Sequence, residues 1–172
     1  MANKQVIMAT LAGGVAVFVM GFLLYGLALA DFFAANAGTA TGVMKEAPLM
    51  WSLILGQVIT AAFLVMVMGW RGDSSAGAGL KTGALVGLIS GFGGSFTFYG
   101  VANIANLTFA LVDPIVYMIQ LGVGGAVIGA VLGMGSTAAV EAPASTSASP
   151  PAPPPPPAPV ADEHTGEQSA GM

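Results

Sequence analysis

Few residues in this 172-residue chain could do chemistry. Tyr25, Asp31, Tyr99, Asn103, Asn106, Asp113, Tyr117 and Gln120 gather towards one end of a set of long apolar stretches. Polar groups at membrane depth are costly and often functional. With Asp113 as the charge and the tyrosines as hydrogen-bonding walls, these residues would make a site for a small solute or an ion. A plainer reading stands beside it. Asp31 and Asp113 fall at the ends of apolar stretches, where water is available, Asp113 can serve as a helix N-cap, and interfacial tyrosines need no function. Gln57 and Thr60, in the middle of the second stretch, are expected to bond a neighbouring helix.

Catalysis has little to work with. No apolar stretch holds a His or Cys, and there is no close carboxylate pair, nucleophile elbow, phosphate loop or metal-ligand spacing. Gly91 to Gly94 (GFGG) lies inside an apolar stretch and is expected to serve helix packing. His164, the one histidine, lies in a polar C-terminal segment. Asn106-Leu107-Thr108 is a formal glycosylation sequon, close to the membrane. Catalytic residues, cofactors and metals are therefore not expected, and the chain is read as a non-enzyme.

The elements that must position these side chains follow from composition. The chain is 55% hydrophobic and 7% charged, where a soluble domain carries about 25% charged residues. Lys4, Lys45, Arg71 and Lys81 cancel Asp31, Glu46, Asp73 and Asp113, and Glu141, Asp162, Glu163 and Glu167 leave the net charge of −4. No part is basic enough for nucleic-acid binding, and the absence of cysteine excludes disulfides and thiolate sites. Two regions emerge: a neutral, Gly-rich apolar body over 1–135 and an acidic, Pro-rich tail over 136–172.

A bilayer core of about 30 Å needs roughly 20 apolar residues in a helix. Val6–Ala30, Pro48–Trp70, Thr82–Ala102 and Pro114–Met134 meet that need, giving an all-α polytopic membrane protein of four spans. Pro48 is tolerated in a first turn, and Asp113 followed by Pro114 marks a helix start. Ala28-Leu29-Ala30 resembles a signal-peptide cleavage site, but the apolar run before it exceeds the roughly 7–15 residues of a signal h-region, so the first span is expected to stay. Lys4, Arg71 and Lys81 against Lys45 favour both termini in the cytoplasm of a cell inner membrane. Trp70 would then mark one interface, with Phe32, Phe33, Trp51, Tyr99 and Tyr117 near the other.

FLLYGLA (Phe22 to Ala28) matches FTFYGVA (Phe96 to Ala102), and Pro48, Trp51 and Leu55-Gly56 match Pro114, Tyr117 and Leu121-Gly122. This points to two duplicated helical hairpins related by a parallel pseudo-two-fold axis, which would set Tyr25 opposite Tyr99. Gly79, Gly83, Gly87 and Gly91 recur every fourth residue, with Ser95 continuing the row, and Gly125, Gly129 and Gly133 repeat the pattern. Such glycine zippers bring helix backbones together, either inside one bundle or, through an exposed row, in a homo-oligomer or larger membrane complex. The tail lacks apolar periodicity and is expected to be disordered. Residues 150–159 would form a polyproline II rod, serving as a spacer or as a ligand for a Pro-rich-motif binder.

Gly21-x-x-x-Tyr25 and the closing Gly129-Ala-Val-Leu-Gly133 resemble a family of small bacterial four-helix integral membrane proteins of unknown function, over residues 6–134. The chain differs from that family in lacking a Trp-Tyr-Ser-Pro run around Tyr25. The resemblance implies a four-helix fold and a membrane location, and no activity. The leading expectation is an interaction or assembly component in contact with the lipid bilayer, and the alternative is a small-solute or ion transporter or channel.

Overall fold

The computed structural model describes residues 3–141, and all the regular elements among them are helical. Four helical stretches are long and apolar enough to cross a membrane: Asn3–Ala28, Met50–Arg71, Ala76–Val101 and Leu107–Met134. The first is composite. An α-helix, α1 (Asn3–Gly21), widens into a π-helical segment (Phe22–Ala28), and after Leu29 a short helix, α2 (Ala30–Ala35), turns away. The other spans are α3 (Met50–Arg71), α4 (Ala76–Val101) and α5 (Leu107–Glu141).

α5 is the central helix. It packs against α4 along most of its length and against α1, and more lightly against α3, while α3 and α4 touch little beyond their connecting turn. Its buried residues include Ala110, Val116, Leu121, Ile128 and Leu132, and the shared core adds Val17, Leu64 and Met68. On α1 the buried Ala9, Gly13 and Val17 alternate with exposed Ile7, Leu11, Val15 and Val19. The outward row is lipid-facing in a spanning helix, where apolar exposure costs nothing.

Backbone approach sets the tightest interface. Gly79, Gly83, Gly87 and Gly91 are the buried glycines of α4. A Cβ on Gly87 would lie 2.6 Å from the Tyr117 carbonyl oxygen, and one on Gly91 would lie 2.8 Å from the Pro114 Cα. A Cβ on Gly79 or Gly83 would run into the carbonyl oxygen of Gly125 or Leu121. From α5, Gly125 and Gly129 meet the Gly79 and Ser75 carbonyls, and Gly133 approaches Ser74. Between α1 and α5 the scheme is knob and notch, with Ile128 over Gly13 and Val17 over Gly124. The Gln5 amide donates to the Leu132 carbonyl at 2.6 Å, and the buried Gln120 amide donates to the Val17 carbonyl at 2.9 Å.

The α3–α4 turn closes with Gly72 in the left-handed region (φ 72°), which lets the Asp73 N–H reach the Met68 carbonyl at 2.9 Å. Ser75 caps α4 by accepting from the Ala78 N–H at 3.2 Å. α4 therefore starts at Ala76, ahead of the expected Thr82, and Lys81 lies within it.

The largest departure is the start of α5. The sequence places it at Pro114 with Asp113 as its N-cap, but the helix begins at Leu107, and Asn106 does the capping, its Oδ1 accepting from the Phe109 N–H at 2.9 Å. Pro114 sits inside the helix, where it cannot donate to the Ala110 carbonyl. At the other end α5 runs on to Glu141, beyond the expected tail boundary at Ser136, because Ala138 and Ala139 favour helix. The remaining tail, including the polyproline run at 150–159, lies outside the described residues.

Candidate functional site

The early start of α5 changes what Asp113 is. Six residues into the helix, it lies about 9 Å along the axis at 1.5 Å per residue, and its carboxylate is bonded from two other spans. The Tyr25 hydroxyl donates to Oδ1 at 2.8 Å and the Ser95 hydroxyl donates to Oδ2 at 2.6 Å. Each hydroxyl gives its one hydrogen to the acid, whose two oxygens offer about four acceptor positions in the ionised form.

Local structure aims each partner. Tyr25 stands in the π-helical segment, and π turns in a helix often occur at functional sites because they re-aim side chains. Its ring stacks on Phe33 of α2, with centroids 5.0 Å apart, and Phe33 in turn meets Phe109 edge-on at 4.8 Å. Ser95 extends the glycine row of α4 by one step, on the face that meets α5. Its predecessor Gly91 packs on Pro114, next to the acid.

Asp113 lines a cavity of about 790 Å³ that draws walls from α1, the π-helical segment, the first loop, α3, α4 and α5. Phe18, Phe22, Phe98 and Tyr117 supply aromatic surface, Met50 and Leu53 aliphatic surface, and Ser90, Gln57 and Gln120 further polar groups. Asp113, Ser95 and Phe98 also border a second space of about 260 Å³, with Ile104, Ala105 and Phe109. The carboxylate thus stands between a large space among the helices and a smaller one beneath the loop that joins α4 and α5.

A lid of backbone closes this end. The Ala40 N–H donates to the Asn103 carbonyl at 2.9 Å, the Asn106 N–H donates to the Asn36 carbonyl at 3.1 Å, and the Asn106 side-chain amide donates to Asn36 Oδ1 at 3.1 Å. Gly38 is needed here, since a Cβ would lie 2.8 Å from the Ala105 nitrogen and closer still to Asn103.

Of the eight polar residues singled out in the sequence, the structure joins Tyr25 to Asp113 and sets Tyr117 and Gln120 on the same cavity. Asn103 and Asn106 build the lid. Asp31 lies exposed in the first turn of α2, and Tyr99 is 43% exposed and lines neither space. Tyr25 therefore faces an acid, where repeat symmetry would have set it opposite Tyr99. Phe33 is buried and Tyr117 is half-buried on the cavity, whereas Trp51 and Trp70 are exposed. Gln57 lines the cavity, and Thr60 donates to the Gly56 carbonyl of its own helix at 2.9 Å while its hydroxyl also meets that of Tyr117 on α5, so of the two it is Thr60 that bonds a neighbouring helix as expected. In the sequence Ser95 continues a row of small residues, which masks its bond to the acid. The available signal was a hydroxyl at the end of a glycine series that faces the helix bearing Asp113.

At the opposite end, Asp73 accepts from the Thr82 hydroxyl at 2.6 Å and from Arg71 Nε at 3.1 Å. The Thr82 bond first, and the Arg71 guanidinium after it, hold the Asp73 carboxyl below its usual range. No protein-family model, curated protein or solved structure matches the chain.

Proposed function

We propose that this protein binds a small solute within the membrane, in the manner of a transporter or channel, and that it is not an enzyme. The observation that carries this reading is Asp113: an acid inside a spanning helix, held by hydroxyls from two other spans, on the wall of a cavity of about 790 Å³. Ionisable residues within spans mark solute and ion paths, and small-molecule sites occupy about 300–1,000 Å³. The position of Asp113 between two spaces favours passage over simple storage. Ser95 has no His, Lys or Cys base beside it among its hydrogen-bond partners, which speaks against nucleophilic chemistry.

The glycine zipper of α4 and α5 would serve as the rigid back wall, holding Ser95 and Asp113 in register. Lys4, Arg71 and Lys81 lie at the end of the spans away from the cavity, which supports a cell inner-membrane orientation with both termini cytoplasmic and the cavity on the far side. Duplicated hairpins remain supported by the likeness of FLLYGLA to FTFYGVA, with the two copies specialised: Tyr25 bonds the acid and Tyr99 faces outward.

The test is a thermal-shift panel of small cations, anions and neutral solutes on detergent-purified protein, since a ligand of the native state raises its stability. The expected result is a solute that raises the unfolding midpoint of the wild type and not that of Asp113→Asn. No shift with any solute, together with one membrane protein co-purifying in fixed ratio, would favour an assembly component instead.

A further inference from the structure

The solute-binding reading leaves open which chemistry the cavity selects. Asp113 is the one ionisable acid on its wall, and the residues that line it include no Lys, Arg or His. Among the described residues the one salt bridge is Arg71–Asp73, at the other end of α3. The hydroxyls of Tyr25 and Ser95 bond the carboxylate but do not neutralise it. When a bound solute displaces the cavity water, a carboxylate left without a counter-charge is costly. A neutral solute would leave that cost standing, and an anion would add to it.

We infer that the ligand is a monovalent organic cation with an apolar body, its charge set against Asp113 and its body against the aromatic wall. Phe18, Phe22, Phe98 and Tyr117 line it from α1, the π-helical segment, α4 and α5, and aromatic rings attract cations. Met44 and Met50 add soft, adaptable surface. A divalent metal fits poorly. Calcium takes six to eight oxygen ligands and magnesium a near-ideal octahedron, whereas the described residues hold no group of three or more His, Cys, Asp or Glu.

This inference rests on the solute-binding reading, so the test must separate the two. Full-length protein in a neutral detergent is titrated with three probes: tetraphenylphosphonium, tetraphenylborate, which has the same shape and the opposite sign, and neutral triphenylphosphine oxide. The expected result is one phosphonium bound per chain, at least about tenfold tighter than the borate, and weakened at least about tenfold by Asp113→Asn. Asp113→Glu, which keeps the charge, should retain binding and guards against misfolding as the cause. Equal binding of phosphonium and borate, or phosphonium binding that ignores Asp113→Asn, overturns the cation assignment. If triphenylphosphine oxide then still binds and is excluded by the cavity-filling Gly94→Phe, the solute site stands without its cation preference. If none of the three probes binds, both readings fall.

Discussion

The Tyr25 hydroxyl donates to Asp113 across 2.8 Å and so ties the first span to the last, at the point where the first helix widens into its π-helical segment. Phe33 stacks on the phenol and fixes its height, so the ring position survives without the hydroxyl. Tyr25→Phe removes one donor to the acid and keeps the packing. The expected cost is about 0.5–2 kcal/mol, given what hydrogen bonds between membrane helices are worth. Unfolding by a denaturing detergent measures it. A double-mutant cycle with Asp113→Asn should show coupling, and strictly additive losses would mean that the bond contributes nothing.

Two glycines on one helix should answer alanine in opposite ways. A Cβ at Gly87 meets the Tyr117 carbonyl at 2.6 Å and the Met118 Cα at 2.9 Å, and neither backbone atom can swing aside. Gly93 has nothing within 4 Å. Gly87→Ala should destabilise by about 1–3 kcal/mol through overpacking, and Gly93→Ala should be neutral or stabilise by up to about 1 kcal/mol through helix propensity. Parallel unfolding curves for the two variants check the contrast, and Gly87→Leu should be worse than Gly87→Ala.

Much of this was legible in the sequence, and the failures have physical causes. The four spans follow from apolar length, and α3 departs from its expected bounds by only a residue or two because Pro48 and Arg71 bracket it. The spacing of Gly79, Gly83, Gly87 and Gly91 places them on one helix face. What misleads is Asp113-Pro114. An acid followed by proline is a helix-start signal, yet Asn106 offers an earlier cap and the proline is carried inside the helix. Reading the helix start at Pro114 puts Asp113 at a span end, so the sequence names the acid and Tyr25 but places them where water and capping could account for both. The π-helical segment leaves no mark in FLLYGLA, and Ser95 looks like another small residue until its partner is placed.

Protonation provides a test at the far end of the bundle. The Asp73 carboxyl lies below its ordinary range because Thr82 and Arg71 favour the charged form. A depressed folded-state pKa stabilises the fold above the unfolded-state value, and that contribution is lost as pH falls through the folded-state value. Wild type should therefore exceed Asp73→Asn in thermal stability at pH 7, with the gap closing below about pH 4. A gap that stays constant down to pH 3 would assign the Asp73 effect to something other than its charge.

The cavity itself is open to direct measurement, because the chain has no cysteine to confuse labelling. Ser90 lines the cavity, and its neighbour Ile89 is 64% exposed on the outer surface of the span. Maleimide reacts with the thiolate, which forms where water reaches. With protein in bilayers, Ser90→Cys should label at least about tenfold faster than Ile89→Cys, as a water-filled solute site beside Asp113 requires. Equal, slow labelling at both positions would mean that the space is dry and lipid-filled, and would contradict a solute-binding function.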